Sequence, residues 1–315
     1  MDTWRTYGAD YRDIFATTYM TKKRSRIYVV HSPSQSVLDS LDQIRAAFSE
    51  LNYEAAFLPL DDSTTKRVQK LIRAGIKTLC AAGGDGTQNA VAGMIRGTSI
   101  RLGVIPVGTL NHFAKDIGIP IDIAESVKTI VLGRVQSFDV AEVNGKVFLN
   151  NSSIGLYPNI VTFREKHEGS IGKWPAAVWA SLRGLAHWPT YRIRIEIDGQ
   201  IQHQRTPMVI VGNNSYGVDQ PGLTNRTGLT DGRLSVYLFK TTSRAKVVQI
   251  VLKTLVGKGD EECDFGEHLA CEVIISSRHR RLKVSRDGEV DRLSSPLKYI
   301  IRPRHLMVMV PSDKA

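Results

Sequence analysis

Gly83-Gly84-Asp85-Gly86-Thr87 packs three glycines, a carboxylate and a hydroxyl into one short stretch. Glycine lets the backbone take positive φ and come close to a ligand. A turn of successive N–H groups that opens a helix can hold phosphate. The flanks fit that reading: Thr78 to Ala82 is an apolar run suited to a buried strand, and Thr87-Gln88-Asn89-Ala90-Val91 reads as a helix start. Asp85 has no evident structural reason to be there. Beside bound phosphate its charge is repulsive unless Mg²⁺ or a water network lies between. The pattern is not a Walker A loop, which ends in Gly-Lys-Ser/Thr, nor a dinucleotide fingerprint.

A second loop, Pro106-Val107-Gly108-Thr109-Leu110-Asn111-His112-Phe113-Ala114, follows the apolar strand expected over 101–105. Two glycine-bearing loops at successive strand ends put two backbone cradles on one edge of a parallel sheet, where open α/β sheets bind ligands. Thr109 and Asn111 offer a hydroxyl and an amide to phosphate, ribose or metal-bound water. Asn111 also reads as a helix N-cap, and both readings stay open. Further on, Asp287-Gly288-Glu289 sets two carboxylates around a hairpin dipeptide. Gly228-Leu229-Thr230-Asp231-Gly232-Arg233 carries another Asp-Gly turn.

In this order, residues 83–87, 106–114 and 287–289 resemble the motifs of the diacylglycerol kinase catalytic domain family. That family includes bacterial lipid kinases and sphingosine kinases and is more distantly similar to NAD kinases. The resemblance covers about Arg26 to Pro311. It implies an α/β N-terminal domain with a parallel sheet and a C-terminal β-sandwich-like domain. It also implies phosphoryl transfer from ATP, with Mg²⁺, to a lipid hydroxyl, diacylglycerol being the default acceptor. Carried over residue by residue, Gly83, Gly84, Asp85, Gly86, Thr87, Gln88 and Asn89, with Gly108, Thr109 and Asn111, bind the nucleotide. Glu289 takes the role of general base, and Asp85 and Asp287 support it or the metal. The Asp231 carboxylate and the carbonyls of Gly228 and Arg233 hold a structural Mg²⁺, with a plain Asp-Gly turn as the alternative. Asp139 joins the catalytic carboxylate network or is a surface residue on a half-buried strand. The chain also departs from the pattern. Ser32-Pro33-Ser34-Gln35-Ser36 keeps the family's proline without its asparagine and glycine, Ala90 replaces a glutamate, and His112 replaces an aspartate. Two other readings therefore stand: a small-molecule kinase of the NAD-kinase type, and a catalytically weak nucleotide-binding regulator.

The elements that must position these groups change character along the chain. Strands over 26–31, 53–58, 78–82 and 101–105 alternate with helices over 36–48, 63–74, 87–96 and 122–132. A strand over 136–143 then turns at Asn144-Gly145 and returns over 146–154. Beyond it the pattern is mostly strands, at 190–198, 200–206, 207–212, 233–239, 269–276, 279–285, 297–302 and 305–310, with one helix at about 243–256. The expected division is an N-terminal extension at 1–25, a nucleotide-binding α/β domain at 26–143 and a β-rich domain at 144–315. The last strands are free to return to the first domain.

With 315 residues, 42% hydrophobic and 23% charged, the chain has the composition of a soluble globular protein. A net charge of +11 favours anionic partners. No nucleic-acid motif accompanies it, so no nucleic acid is expected. The resemblance points instead to a lipid substrate at an anionic membrane surface, approached peripherally from the cytoplasmic side. The segment from Lys173 to Trp188 holds three of the four tryptophans and suits either a membrane interface or a core helix. The basic run Arg278 to Arg286 is either a solvated strand face or a contact for anionic lipid. Cys80, Cys263 and Cys271 lack disulfide or zinc spacing and suit a reducing compartment. No run approaches the roughly 18 to 20 apolar residues of a membrane span, and Met1 to Met20 lacks a signal-peptide core. A homodimer is compatible with all of this.

Overall fold

The computed structural model describes residues 25–155, 190–215, 228–239 and 265–312. The tryptophan-rich segment and the helix expected at 243–256 lie outside the described residues, as do residues 1–24.

The first half alternates as its periodicity predicts: β1 (Ser25–His31), α1 (Gln35–Leu38), α2 (Leu41–Glu50), β2 (Tyr53–Pro59), α3 (Thr64–Arg73), β3 (Thr78–Gly83), α4 (Asp85–Ile95), β4 (Arg101–Pro106), α5 (His112–Asp116) and α6 (Ile123–Leu132). The single helix expected over 36–48 is two, because the Ser40 hydroxyl donates to the Ser36 carbonyl at 2.8 Å where the helix breaks. Asp122 caps α6 by accepting the Glu125 N–H at 3.0 Å. Strands run in the order β2-β1-β3-β4, all parallel. Both faces are covered. Leu79 and Ala81 of β3 pack with Val68, Val91, Leu102 and Val104. The alternate residues Cys80 and Ala82 pack with Val29, Phe48, Ile105 and Ile130. Burial on two sides explains the unbroken apolar run. Burial also pushes the Cys80 thiol up, so it is an inert part of the core.

The second half comprises β5 (Arg134–Val143), β6 (Lys146–Phe148), β7 (Asn151–Gly155), β8 (Tyr191–Ile197), β9 (Gln200–Thr206), β10 (Met208–Asn213), β11 (Leu234–Phe239), β12 (Phe265–Ala270), β13 (Glu272–Ser277), β14 (Arg281–Arg286), β15 (Glu289–Ser294) and β16 (Leu297–Val310). A six-stranded antiparallel sheet, β12-β11-β10-β7-β14-β15, packs over β13, β8 and the first half of β16, with Ile195, Val211, Val236, Val273, Val284 and Tyr299 between them. The other sheet passes through both halves: β16 pairs parallel with β4 at one end and antiparallel with β13 at the other. β5 runs beside β16, interrupted by an irregularity between Arg302 and Leu306, where Arg304 has φ 52°. Phe138, Val140, Leu306 and Val308 belong to the first core. Ala141, Val143, Leu297 and Tyr299 belong to the second. Two paired strands therefore carry the chain from one core to the other.

Several strand expectations are corrected. The return over 146–154 is two strands, β6 and β7, in different sheets, and 269–276 divides in the same way into β12 and β13. The strands expected at 297–302 and 305–310 are one, and β15 was not foreseen. The hairpin dipeptides behave as their chemistry demands: Asn144-Gly145, Asp198-Gly199 and Asp287-Gly288 all have positive φ at both residues.

Asp139 on β5 is 2% exposed and holds the two halves together. Its carboxylate accepts the Arg304 N–H at 2.7 Å and the Gly232 N–H at 2.7 Å. We predict that Asp139→Ala, which strands both donors, lowers stability by about 2 to 3 kcal/mol. Urea denaturation checks this, and an unchanged midpoint would remove Asp139 from the junction.

Candidate active site

The glycine turn links β3 to α4. Gly84 is the N-cap of α4 and offers no side chain to cap it. The first N–H groups of a helix have no carbonyl one turn before them, so the amides of residues 85–87 are available to an anion, with the helix dipole adding to the attraction. Gln88 is fully buried and donates to the Gly83 carbonyl at 3.1 Å, which fixes the turn from below. The buried carbonyl oxygens of the Gln88, Asn89 and Asn111 side chains have no hydrogen-bond partner.

The second loop presses against the first. A methyl group on Gly108 would overlap Gly84 Cα and lie 2.9 Å from Gly84 N and 2.7 Å from Asn111 Oδ1. Asn111 does not cap α5 with its side chain. It adopts a left-handed conformation, φ 52°, and its amide donates to the Gly108 carbonyl at 2.7 Å, tying the loop to itself. Asp85 takes the capping role from across the site. Its carboxylate accepts the His112 N–H at 3.2 Å and the Phe113 N–H at 3.1 Å. These bonds supply the structural reason for the aspartate that the sequence alone lacked: its charge is held by the start of α5 beside the glycine turn. The His112 side chain is exposed, and only its backbone enters this contact. Thr109 is exposed at the loop tip. The Ser32 N–H donates to the Ala82 carbonyl at 3.0 Å, so the altered loop at 32–36 still starts at this edge.

The β14–β15 hairpin brings in the other two acids. Asp287 accepts three amides, Leu149 at 2.7 Å, Asn150 at 2.8 Å and Asn151 at 3.1 Å, and its own N–H donates to the Asn151 carbonyl at 3.0 Å. Burial pushes this carboxyl up to about 6 against the pull of the three amides, and the negative charge of Asp85 adds to the rise. Glu289 is exposed, and its Oε1 lies 2.5 Å from where a methyl group on Gly86 would sit. The structure thus gathers Asp85, Asp287 and Glu289 at the start of α4. Two of the three have their oxygens occupied by backbone amides. Among the described residues the Glu289 carboxylate takes no hydrogen bond and is the one left for chemistry.

The expected metal turn is built separately. Asp231 N–H donates to Asn214 Oδ1 at 3.2 Å, and Asn214 N–H donates to the Arg233 carbonyl at 3.0 Å. The Asp231 carboxylate lies over Gly228, where any side chain would collide with it. Among the described residues no three His, Cys, Asp or Glu side chains cluster as a metal site. A cation here would rely on Asp231 and on carbonyls. The Arg233 carbonyl keeps a second lone pair for that purpose. Asp139 belongs to this turn through Gly232, and not to the carboxylates around Gly86. Sequence reasoning missed Asn213 and Asn214, 1% and 0% exposed. Asn213 donates to the carbonyls of Asp139 at 3.1 Å and Leu149 at 2.9 Å, joining this turn to the segment that holds Asp287. The signal was two adjacent asparagines closing an apolar strand. Arg286, in the basic run, turns inward and pairs with Asp291.

The model of the diacylglycerol kinase catalytic domain matches residues 27–143, and that of the YegS C-terminal NAD kinase beta sandwich-like domain matches residues 173–310. The chain belongs to the diacylglycerol kinase catalytic domain family. Both glycine loops fall in the first match and the Asp-Gly-Glu hairpin in the second. A diacylglycerol kinase of Bacillus subtilis (strain 168) is 28% identical over 313 residues, covering 93% of this chain and 98% of the relative. A diacylglycerol kinase of Staphylococcus aureus (strain bovine RF122 / ET3-1) is 25% identical over 93% of this chain and 94% of its own length. A crystal structure described as a diacylglycerol kinase of Bacillus anthracis str. Sterne superposes with a TM-score of 0.63 at 21% identity, covering 92% of this chain and 98% of that one. At that identity the likeness shows the fold of the family.

The two close approaches separate packing from chemistry. Gly108→Ala drives a methyl into backbone and should lower stability by about 1 to 3 kcal/mol while weakening ATP binding. Gly86→Ala meets only the tip of a flexible side chain and should leave stability nearly unchanged while displacing Glu289 and cutting turnover. Thermal melts and ATP titrations on both variants check the contrast. Equal effects on stability would refute it.

Proposed function

We propose that this member of the diacylglycerol kinase family transfers the γ-phosphate of ATP to the hydroxyl of a membrane lipid, diacylglycerol being the first acceptor to test. The observation that carries this reading is the Glu289 carboxylate, which takes no hydrogen bond among the described residues and rests on Gly86 at a helix N-terminus suited to an anion. ATP supplies the transferable phosphoryl group, and Mg²⁺ would offset its negative charge. The amides of residues 85–87 would hold phosphate oxygens, and the Gly108 loop would close over them. Asp85 and Asp287 act as positioning residues, one fixing α5 and the other the hairpin. A lipid hydroxyl is a weak nucleophile at neutral pH, and Glu289 accepts its proton as the oxygen approaches phosphorus. Asp231, with the carbonyls of Gly228 and Arg233, offers hard oxygen ligands suited to a structural Mg²⁺. The peripheral approach to the cytoplasmic face of a membrane belongs to the same proposal. Among the described residues no helix is long and apolar enough to cross a membrane.

Transfer of labelled γ-phosphate to a panel of lipids in mixed micelles, with NAD as a soluble acceptor beside them, tests the reading. A labelled lipid is expected with the wild-type chain, and a loss of at least about a hundredfold with Glu289→Gln. Label on NAD alone, or none on any lipid while ATP binds, would overturn it. The pH profile adds a second check. Asp287 has its carboxyl raised to about 6. It is ionised and accepts all three amides above that value, and it loses acceptor capacity as pH falls through it. Activity should therefore drop about tenfold between pH 7 and pH 5, with an acid limb centred near 6. A flat profile over this range would sink the anchoring role of Asp287.

A further inference from the structure

We infer that the outer face of β8, β9 and the end of β13 is a docking surface for an anionic lipid bilayer. Arg192 stands directly opposite Arg205 across β8 and β9, and Arg194 opposite His203. Arg194 also faces Ser276 on β13, and Arg278, just past that strand, lines the same shallow groove of about 480 Å³. Packing does not require this arrangement. The alternate residues Ile193, Ile195 and Ile197 fill the core, which leaves the arginines on the solvent side. Like charges directly opposed destabilise an antiparallel pair, so the arrangement calls for a counter-charge, and none is supplied among the described residues. The one carboxylate on this face of β8, Glu196, is committed to Arg194 at 3.1 Å. Among the described residues Arg192, Arg205 and Arg278 have neither an ion pair nor a hydrogen bond, and all three are exposed. Beside them, across from Glu196, Ile201 is 52% exposed on β9, the outermost described strand of its sheet.

Several guanidinium groups spread over one sheet face, with an aliphatic side chain next to them, match a plane of lipid phosphates above an apolar interior. This face of the three strands carries no Phe, Tyr or Trp on which bases could stack. The structure also divides the basic run at 278–286: Arg278 joins this face, whereas Arg286 is buried against Asp291. The choice of a bilayer rests on the lipid-kinase reading, and the position of the face does not.

The test is sedimentation of the full chain with vesicles of phosphatidylglycerol and phosphatidylcholine in equal parts, against phosphatidylcholine alone. The triple variant Arg192→Gln, Arg205→Gln, Arg278→Gln is compared with the three Arg→Lys changes, which keep the charge. We expect salt-sensitive binding to the anionic vesicles, roughly a hundredfold weaker in the Gln variant and largely retained in the Lys variant. Phosphate transfer in neutral mixed micelles should be unaffected in both. Equal binding by wild type and the Gln variant, no wild-type binding to anionic vesicles, or equally tight arginine-dependent binding of a DNA duplex would each overturn the inference. Arginine-dependent vesicle binding by a chain that phosphorylates no lipid would support this surface while removing the kinase reading.

Discussion

The site depends on the contact between Gly84 and Gly108, where two strand-to-helix turns meet with no space for a methyl group on Gly108. The parallel register of β3 and β4 sets the two strand ends side by side, with Gly83 opposite Pro106. Once the turns touch, Asp85 can reach the first amides of α5, and that short helix is fixed by a residue from the neighbouring loop. A carboxylate that would repel phosphate is thereby spent on backbone N–H groups, and the amides of α4 keep their positive potential. Charge compensation and loop geometry are one arrangement, because the same close approach provides both.

The second half is attached to this platform by directional bonds as well as by apolar packing. The amides of residues 149–151 grip Asp287 and so set the tip of the β14–β15 hairpin, which hangs Glu289 over Gly86. Asn213 and Asp139 extend the same network to the Asp231 turn. These contacts are short and few, and each joins segments far apart in the chain. They place side chains more sharply than a hydrophobic surface could, since an apolar interface tolerates small slips that a three-bonded carboxylate does not.

What the sequence discloses follows from how local each cause is. The β3 strand, the glycine turn and the hairpin dipeptides could be read because their determinants lie within a few residues. The α/β half was legible for the same reason. The division of 146–154 into strands of two different sheets was not, since sheet membership is decided by distant partners. β15 was missed because Glu289-Val290-Asp291-Arg292-Leu293-Ser294 is mostly polar, and its partner strand rather than its own composition makes it a strand. The site shows the same limit. Asp85 could be singled out as anomalous, but the amides that explain it are 27 and 28 residues away. The bonds that hold Asp287 span 136 to 138 residues. For Asn111 the cap was one of two open readings, and its left-handed backbone, which turns the side chain back onto its own loop, depends on how that loop meets its neighbour.

β16 has a consequence for the order in which the chain is assembled. It fills the position beside β4 and pairs with β5 along nearly its whole length, yet it is translated long after both. Until Leu306 to Val310 leave the ribosome, the α/β half carries a bare parallel edge at β4 and an uncovered patch over Phe138 and Val140. Unpaired edges of this kind recruit strands from other chains, and contacts across such a sequence separation close slowly. Before that point the α/β half lacks the strand that seals it. A fragment cut after β5 would lack that strand permanently, and with it the partner of both β4 and β5.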